Sequence, residues 1–154
     1  MTYTETTGDL FEQGLPAIAH GCNTSGSMAG GIAREVKRRW PDCYAEYARL
    51  CREGRFPLGG FHAWEGDGLV VYNLATQVRP GADARLEAIC DAVTGALADA
   101  QARGISRLGV PRIGAGIGGL DWSDVRRALR EVADQSPVEL VAVERPGHPQ
   151  AGTS

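Results

Sequence analysis

The chain is nearly devoid of lysine: among its 16 basic residues only Lys37 is one, and the others are arginine. Chemistry that needs a lysine nucleophile therefore rests on a single position. Long apolar runs are missing as well. No early segment joins a charged region to an extended apolar stretch, so neither a signal peptide nor a membrane span is expected, and a cytoplasmic location follows. Metal-ligand spacing is absent. Cys22, Cys43, Cys51 and Cys90 form no CxxC pair, and the 3 histidines are too few to complete a zinc site. Reduced thiols, no metal and no cofactor are the expectation. The net charge of −3 gives no electrostatic case for nucleic acid as a partner. No repeat or linker divides the chain.

What is present suits one globular domain. The 154 residues are 43% apolar, enough for a real core. Residues 1–145 form the expected domain, and 146–154 read as a disordered polar tail. A monomer is expected.

The most informative stretch follows the short apolar run 108–110. It reads Pro111-Arg112-Ile113-Gly114-Ala115-Gly116-Ile117-Gly118-Gly119-Leu120-Asp121-Trp122, with a helix start after it at Ser123. Glycine admits positive φ and lets backbone approach a ligand. A glycine-rich turn entering a helix N-terminus offers a row of N–H donors to a phosphate. The alternative is a tight turn that needs its glycines for geometry alone.

In chain order, 3–7 reads as an edge strand and 15–20 as a buried strand. A second glycine-rich loop, Gly21 to Gly31, follows. A helix begins near Gly30, with Ile32, Ala33, Val36 and Trp40 on one face and Arg34, Lys37 and Arg38 on the other. Pro41 ends or kinks it. A second helix spans 42–52. Strands at 60–64 and 68–75 flank the turn residues Glu65-Gly66-Asp67-Gly68. The longest helix spans 83–103, with Asp83 as N-cap and Gly104 as stop. A strand at 107–110, a helix at 123–133 capped by Asp121 or Ser123, and a strand at 138–143 complete the order. This alternation predicts an α/β fold with helices on both faces of a mixed sheet. Loops between strand ends and helix starts then gather at one edge, where ligands bind.

Three motifs in order resemble those of a macrodomain: Gly8-Asp9-Leu10-Phe11; Ala19-His20-Gly21-Cys22-Asn23 to Met28-Ala29-Gly30-Gly31-Ile32-Ala33; and Pro111 to Ile117 with Leu120-Asp121-Trp122. The likeness covers roughly 3–144 and is closest to the branch that holds terminal ADP-ribose protein glycohydrolase and the antitoxin macrodomains that remove ADP-ribose from DNA. It implies a three-layer α/β/α fold with ADP-ribose in a cleft across the sheet top. It implies Asp9 at the adenine amino group with Leu10 beside it, and Val143 and Glu144 at the adenine edge. It implies Ile113, Gly114, Ala115, Gly116, Ile117 and Gly118 on the diphosphate, and Asn23, Gly30, Gly31, Ile32, Thr76 and Gln77 around the distal ribose. Read without the resemblance, Asp9 is a turn residue, Asn23 a loop-capping amide, and Ile32 partly core.

The resemblance also exposes departures. The glycohydrolase has an attacking lysine where this chain has Gln77, and an assisting aspartate where it has Gly118. An amide forms no Schiff base and glycine carries no proton. Lys37 lies on a polar helix face. The expectation is therefore a lysine-independent hydrolase that releases mono-ADP-ribose from glutamate or aspartate of modified proteins through an oriented water. Asn23, Thr24 and Gln77 are the polar groups near it, with Asp121 as a remote base. Asp121 reads more readily as a helix cap, and Thr24 and Gln77 equally as solvated loop residues. The alternatives are a non-catalytic ADP-ribose reader and a hydrolase acting on ADP-ribosylated nucleic acid. The match of 114–119 to G-x-G-x-x-G fails as a dinucleotide fingerprint, because only one helix and one strand follow.

Overall fold

The structure, a computed structural model, describes residues 2–146. The expected tail therefore lies, beyond Pro146, outside the described residues. The elements are β1 (Tyr3–Thr7), a 3-10 turn (Leu10–Glu12), β2 (Ala17–Asn23), α1 (Gly31–Arg39), α2 (Pro41–Arg52), β3 (Phe61–Gly66), β4 (Leu69–Gln77), α3 (Leu86–Ala102), β5 (Arg107–Val110), α4 (Trp122–Ala133) and β6 (Glu139–Glu144). The sheet order is β1-β6-β5-β2-β4-β3. All neighbouring strands pair in parallel except β3, which runs antiparallel to β4. The expected mixed sheet with helices on both faces is the observed architecture. Among the described residues no helix is long and apolar enough to cross a membrane.

Alternation along β4 shows how two cores form. Val70, Tyr72 and Leu74 turn to the face covered by α3 and α4, and Val71 and Ala75 to the face covered by α1 and α2. Strands buried on both faces read as near-continuous apolar runs, and β4 is buried from Val70 to Thr76 with Asn73 as the one polar break in its apolar run to Ala75. Between β3 and β4, Asp67 (φ 51°) and Gly68 (φ 78°) both take the left-handed conformation of a two-residue hairpin turn.

Two boundaries lie three residues from expectation, each for a local reason. Strand β2 continues past His20 to Asn23, because its end pairs with β4 through a bulge: Cys22 faces Ala75 whereas Asn23 faces Gln77. Thr76 is the extra residue, and its hydroxyl donates to the Cys22 carbonyl at 3.3 Å. Helix α3 begins at Leu86 with Arg85 at its N-cap position, not Asp83. The Asp83 carboxylate turns back and accepts from the Val78 and Arg79 amides, each at 3.0 Å. At α4 the cap is as expected, and of the two candidates it is Asp121, accepting from the Ser123 amide at 3.3 Å.

The topology places a crevice. Adjacent strands β2 and β5 lead into helices on opposite faces, α1 and α4. The loops leaving them diverge at the carboxyl edge of the sheet, the switch point where α/β folds take ligands.

Candidate functional site

The loop after β5 is short of side chains and rich in free donors. Its own bonds are few: Ile113 N to Pro111 O, Ala115 N to Arg112 O, Gly119 N to Gly116 O and Leu120 N to Gly114 O. Among the described residues no acceptor meets the amides of Gly114, Gly116, Ile117 and Gly118. Ile113 and Ala115 are buried and hold the loop to the core, while Ile117 stands 63% exposed above it. Gly114 has φ +78°, and a β-carbon there would come within 2.6 Å of Ile89 Cδ1. At Gly116 a β-carbon would meet nothing within 4 Å among the described residues.

The loop after β2 is organised by one side chain. Asn23 Oδ1 accepts from the amides of Ser25 (3.1 Å), Gly26 (3.0 Å) and Ser27 (3.1 Å), and its Nδ2 donates to Ser27 O at 2.9 Å. Buried Tyr47 on α2 braces it from below, with Tyr44 Oη donating to Gly26 O at 3.0 Å. Helix α1 then opens at Gly31 with glycine at its cap position and no side-chain cap, so its positive end and first amides face outward. Ile32 is half-buried against the core below. The two glycine-rich loops meet here: a β-carbon on either Gly30 or Gly31 would lie 3.5 Å from Ile117 Cδ1.

The stretch 77–85, between β4 and α3, forms the third wall. The Thr24 amide donates to Gln77 O at 2.9 Å, and Thr24 Oγ1 lies 3.5 Å from Val78 O. Thr76 is buried beside it. Gln77 Nε2 donates to Arg79 O (2.6 Å) and Gly81 O (2.8 Å), which leaves Oε1 as its open acceptor. Amide donors, those of Arg79 first, hold the Asp83 carboxyl below its usual range, aided by the Arg85 guanidinium.

At the other end of the crevice, Asp9 caps the 3-10 turn, its Oδ1 accepting from Phe11 N at 2.8 Å. Leu10 is buried behind it. The Gly8 amide bonds Glu144 O at 2.8 Å, which brings Asp9 next to Val143 and Glu144. Arg112 pairs with Glu144 at 3.1 Å and lies over the Trp122 ring at 5.2 Å. Buried Trp122 Nε1 has no acceptor among the described residues.

The lysine chemistry of the resembling glycohydrolase has no footing. Lys37 Nζ sits 4.2 Å from the Tyr44 ring centroid on the outer surface of α1 and α2. At Gly118 a β-carbon would stand 2.7 Å from Gly114 O and 2.8 Å from Ala84 Cβ, so the loop has no space for an aspartate. Asp121 holds Ser123 through both backbone and hydroxyl.

Sequence reasoning missed Tyr47 and Asp83. Tyr47 reads as one more apolar-stripe residue of a helix, and Asp83 as an ordinary cap. It also missed a buried polar chain under α2. Asn73 Oδ1 can only accept, so His20 Nε2 donates to it at 2.6 Å. Asn73 Nδ2 donates to His62 Nδ1 at 3.0 Å, and His62 Nε2 faces Glu46 at 3.0 Å. Burial lowers the His20 pKa to about 4, against the opposing Asn73 bond.

Comparison with known proteins agrees with this architecture. A DNA ADP-ribosyl glycohydrolase of Thermus aquaticus is 27% identical over 149 residues, 94% of this chain and 41% of that protein. The chain thus spans about two fifths of the length of the DNA ADP-ribosyl glycohydrolases it matches. An ADP-ribose 1''-phosphate phosphatase of Candida albicans is 31% identical over 141 residues, 80% of this chain and 89% of that protein. The solved macrodomain of Thermus aquaticus DarG superposes with a TM-score of 0.84 at 25% identity, covering 94% of this chain and 98% of that one. The Macro domain family matches residues 19–129, most of the chain and both glycine-rich loops. With that match carried on the same three-layer architecture, this protein belongs to the Macro domain family.

Proposed function

We propose that the chain binds ADP-ribose across the carboxyl edge of its sheet and hydrolyses the bond between the distal ribose and its acceptor with an oriented water. One observation carries this reading: the loop whose Gly114, Gly116, Ile117 and Gly118 amides have no acceptor among the described residues lies against the uncapped start of α1, Ile117 Cδ1 standing 3.5 Å from a β-carbon placed on Gly30 or Gly31. Backbone donors and the positive end of a helix suit a dianionic diphosphate. Ile113 and Ala115 hold that cradle from within. Asp9 keeps Oδ2 for the adenine amino group, beside Leu10, Val143 and Glu144. Asn23, Gly30, Gly31, Ile32, Thr76 and Gln77 enclose the distal ribose.

For the water, three polar atoms remain near the ribose end: the Thr24 hydroxyl, Gln77 Oε1, and the second Nδ2 hydrogen of Asn23. Asp121 is the remote acid–base candidate. Holding ribose and water in register supplies much of the barrier reduction that a covalent lysine would otherwise provide. As acceptor we favour DNA over protein, because the relatives from Thermus aquaticus and the mycobacteria are named DNA ADP-ribosyl glycohydrolases. An ester on a protein carboxylate is the second acceptor. A non-catalytic ADP-ribose reader is the second function, favoured by the loss of both lysine and aspartate.

The test is release of free ADP-ribose from an ADP-ribosylated DNA oligonucleotide, from protein modified on glutamate or aspartate, and from protein modified on serine. Release from the oligonucleotide alone supports the DNA reading. Release from the carboxylate-linked protein alone restores the protein acceptor. Tight binding of ADP-ribose with no release from any substrate makes the chain a reader.

A further inference from the structure

The stretch 77–85 touches both glycine-rich loops and is closed on itself. Toward the ribose loop, Val78 O accepts from Ser25 Oγ at 2.5 Å and Gln77 O from the Thr24 amide at 2.9 Å. Toward the phosphate loop, the Ala84 amide donates to Gly118 O at 3.2 Å, and a β-carbon on Gly119 would come within 3.0 Å of Ala82 Cβ. Within the stretch, one carboxylate oxygen gathers the chain: Asp83 Oδ2 takes the amides of Val78 and Arg79, each at 3.0 Å. The Asp83 side chain is only 16% exposed, and arginines at 79 and 85 reach its other oxygen at 3.9 and 3.5 Å.

We infer that Asp83 is a positioning residue that sets the gap between the ribose loop and the phosphate loop. Without its carboxylate, the Val78 and Arg79 amides lose their acceptor. Val78 O then no longer has a fixed place under Ser25, nor Ala84 N under Gly118. The residue touches no reacting atom. Its effect reaches the ligand through backbone on either side, so it matters for ligands that span the gap and not for those seated at one end. This role rests on the proposed ADP-ribose cleft for its functional meaning, but its structural part stands by itself.

The experiment uses the full chain, its Asp83→Ala variant and its Asp83→Asn variant. In the ligand-free protein, amide hydrogen exchange in Asp83→Ala is expected to quicken about tenfold at Thr24, Ala84 and Leu120, with the interior of α3 and β6 unchanged. The asparagine amide keeps a side-chain oxygen able to accept both backbone amides, so exchange in Asp83→Asn is expected to match the native protein. Calorimetric titration of Asp83→Ala is expected to weaken ADP-ribose about tenfold and AMP less than twofold. Unchanged exchange at these amides, a uniform rise across the chain, or equal weakening of both ligands overturns the role. If the native protein binds no ADP-ribose, the proposed function falls while the exchange result still judges Asp83.

Discussion

The hydroxyl of Tyr47 lies 2.7 Å from the carbonyl oxygen of Asn23 and 2.9 Å from its Oδ1. Tyr47 is fully buried on α2, and Asn23 is the last residue of β2. Through this contact the helix layer reaches up through the core and fixes the side chain that ties Ser25, Gly26 and Ser27. Tyr47→Phe keeps the packing and removes the donor. It is expected to cost about 0.5–1.5 kcal/mol in urea unfolding, the range for one net hydrogen bond. It is also expected to weaken ADP-ribose severalfold. A variant as stable as the native protein with native affinity contradicts the bracing role.

Gly116 provides a clean probe of the phosphate cradle, since a side chain there meets open space. Gly116→Glu is expected to abolish ADP-ribose binding by charge and bulk while shifting Tm by less than about 2 °C, the size expected of a surface change. Undiminished affinity in the folded variant removes the phosphate loop from the site.

Asp9 has one carboxylate oxygen on Phe11 N, and the other meets no donor among the described residues. Asp9→Ala is expected to weaken ADP-ribose by about 1–3 kcal/mol, the range for a lost hydrogen bond to a charged group, and to leave ribose 5-phosphate unaffected. Equal weakening of both ligands in calorimetry reduces Asp9 to a turn cap.

His20 makes stability depend on pH with a defined sign. Its folded pKa is lowered from 6.5 to about 4, so between these values the unfolded chain takes up a proton that the folded chain refuses. Its contribution is complete above pH 6.5 and lost as pH falls toward 4, up to about 3 kcal/mol. Other carboxylates titrate near the lower end, so the readout is a difference. His20→Gln is expected to flatten the fall in urea-unfolding stability between about pH 6.5 and 4.5 relative to the native protein. Parallel curves contradict a neutral buried His20.

The sheet, the helices and both glycine-rich loops were legible because each rests on local signals: apolar period, glycine runs and caps. Most of what escaped depended on partners distant in the chain. Strand β2 passes its apolar run because the β4 bulge at Thr76 offers pairing to Cys22 and Asn23. The Asn23–Tyr47 contact joins residues 24 apart, and the His20–Asn73 bond residues 53 apart. No pattern in either segment marks these pairings. Asp83 was read as a helix cap, the ordinary role of an aspartate before an apolar stripe, yet nearby amides in the preceding loop hold it instead. Gln77 and Gly118 were readable only as departures from the resembling glycohydrolase. The structure adds that no side chain fits at Gly118.

The central claim is that both glycine-rich loops hold one diphosphate between them. Its most direct test is titration of the 15N-labelled protein with ADP-ribose, followed by amide NMR. The expected result is saturable shifts at Gly114, Gly116, Ile117 and Gly118 together with Gly31 and Ile32, all fitting one dissociation constant. Shifts confined to one loop, or none at saturating ligand, contradict the account.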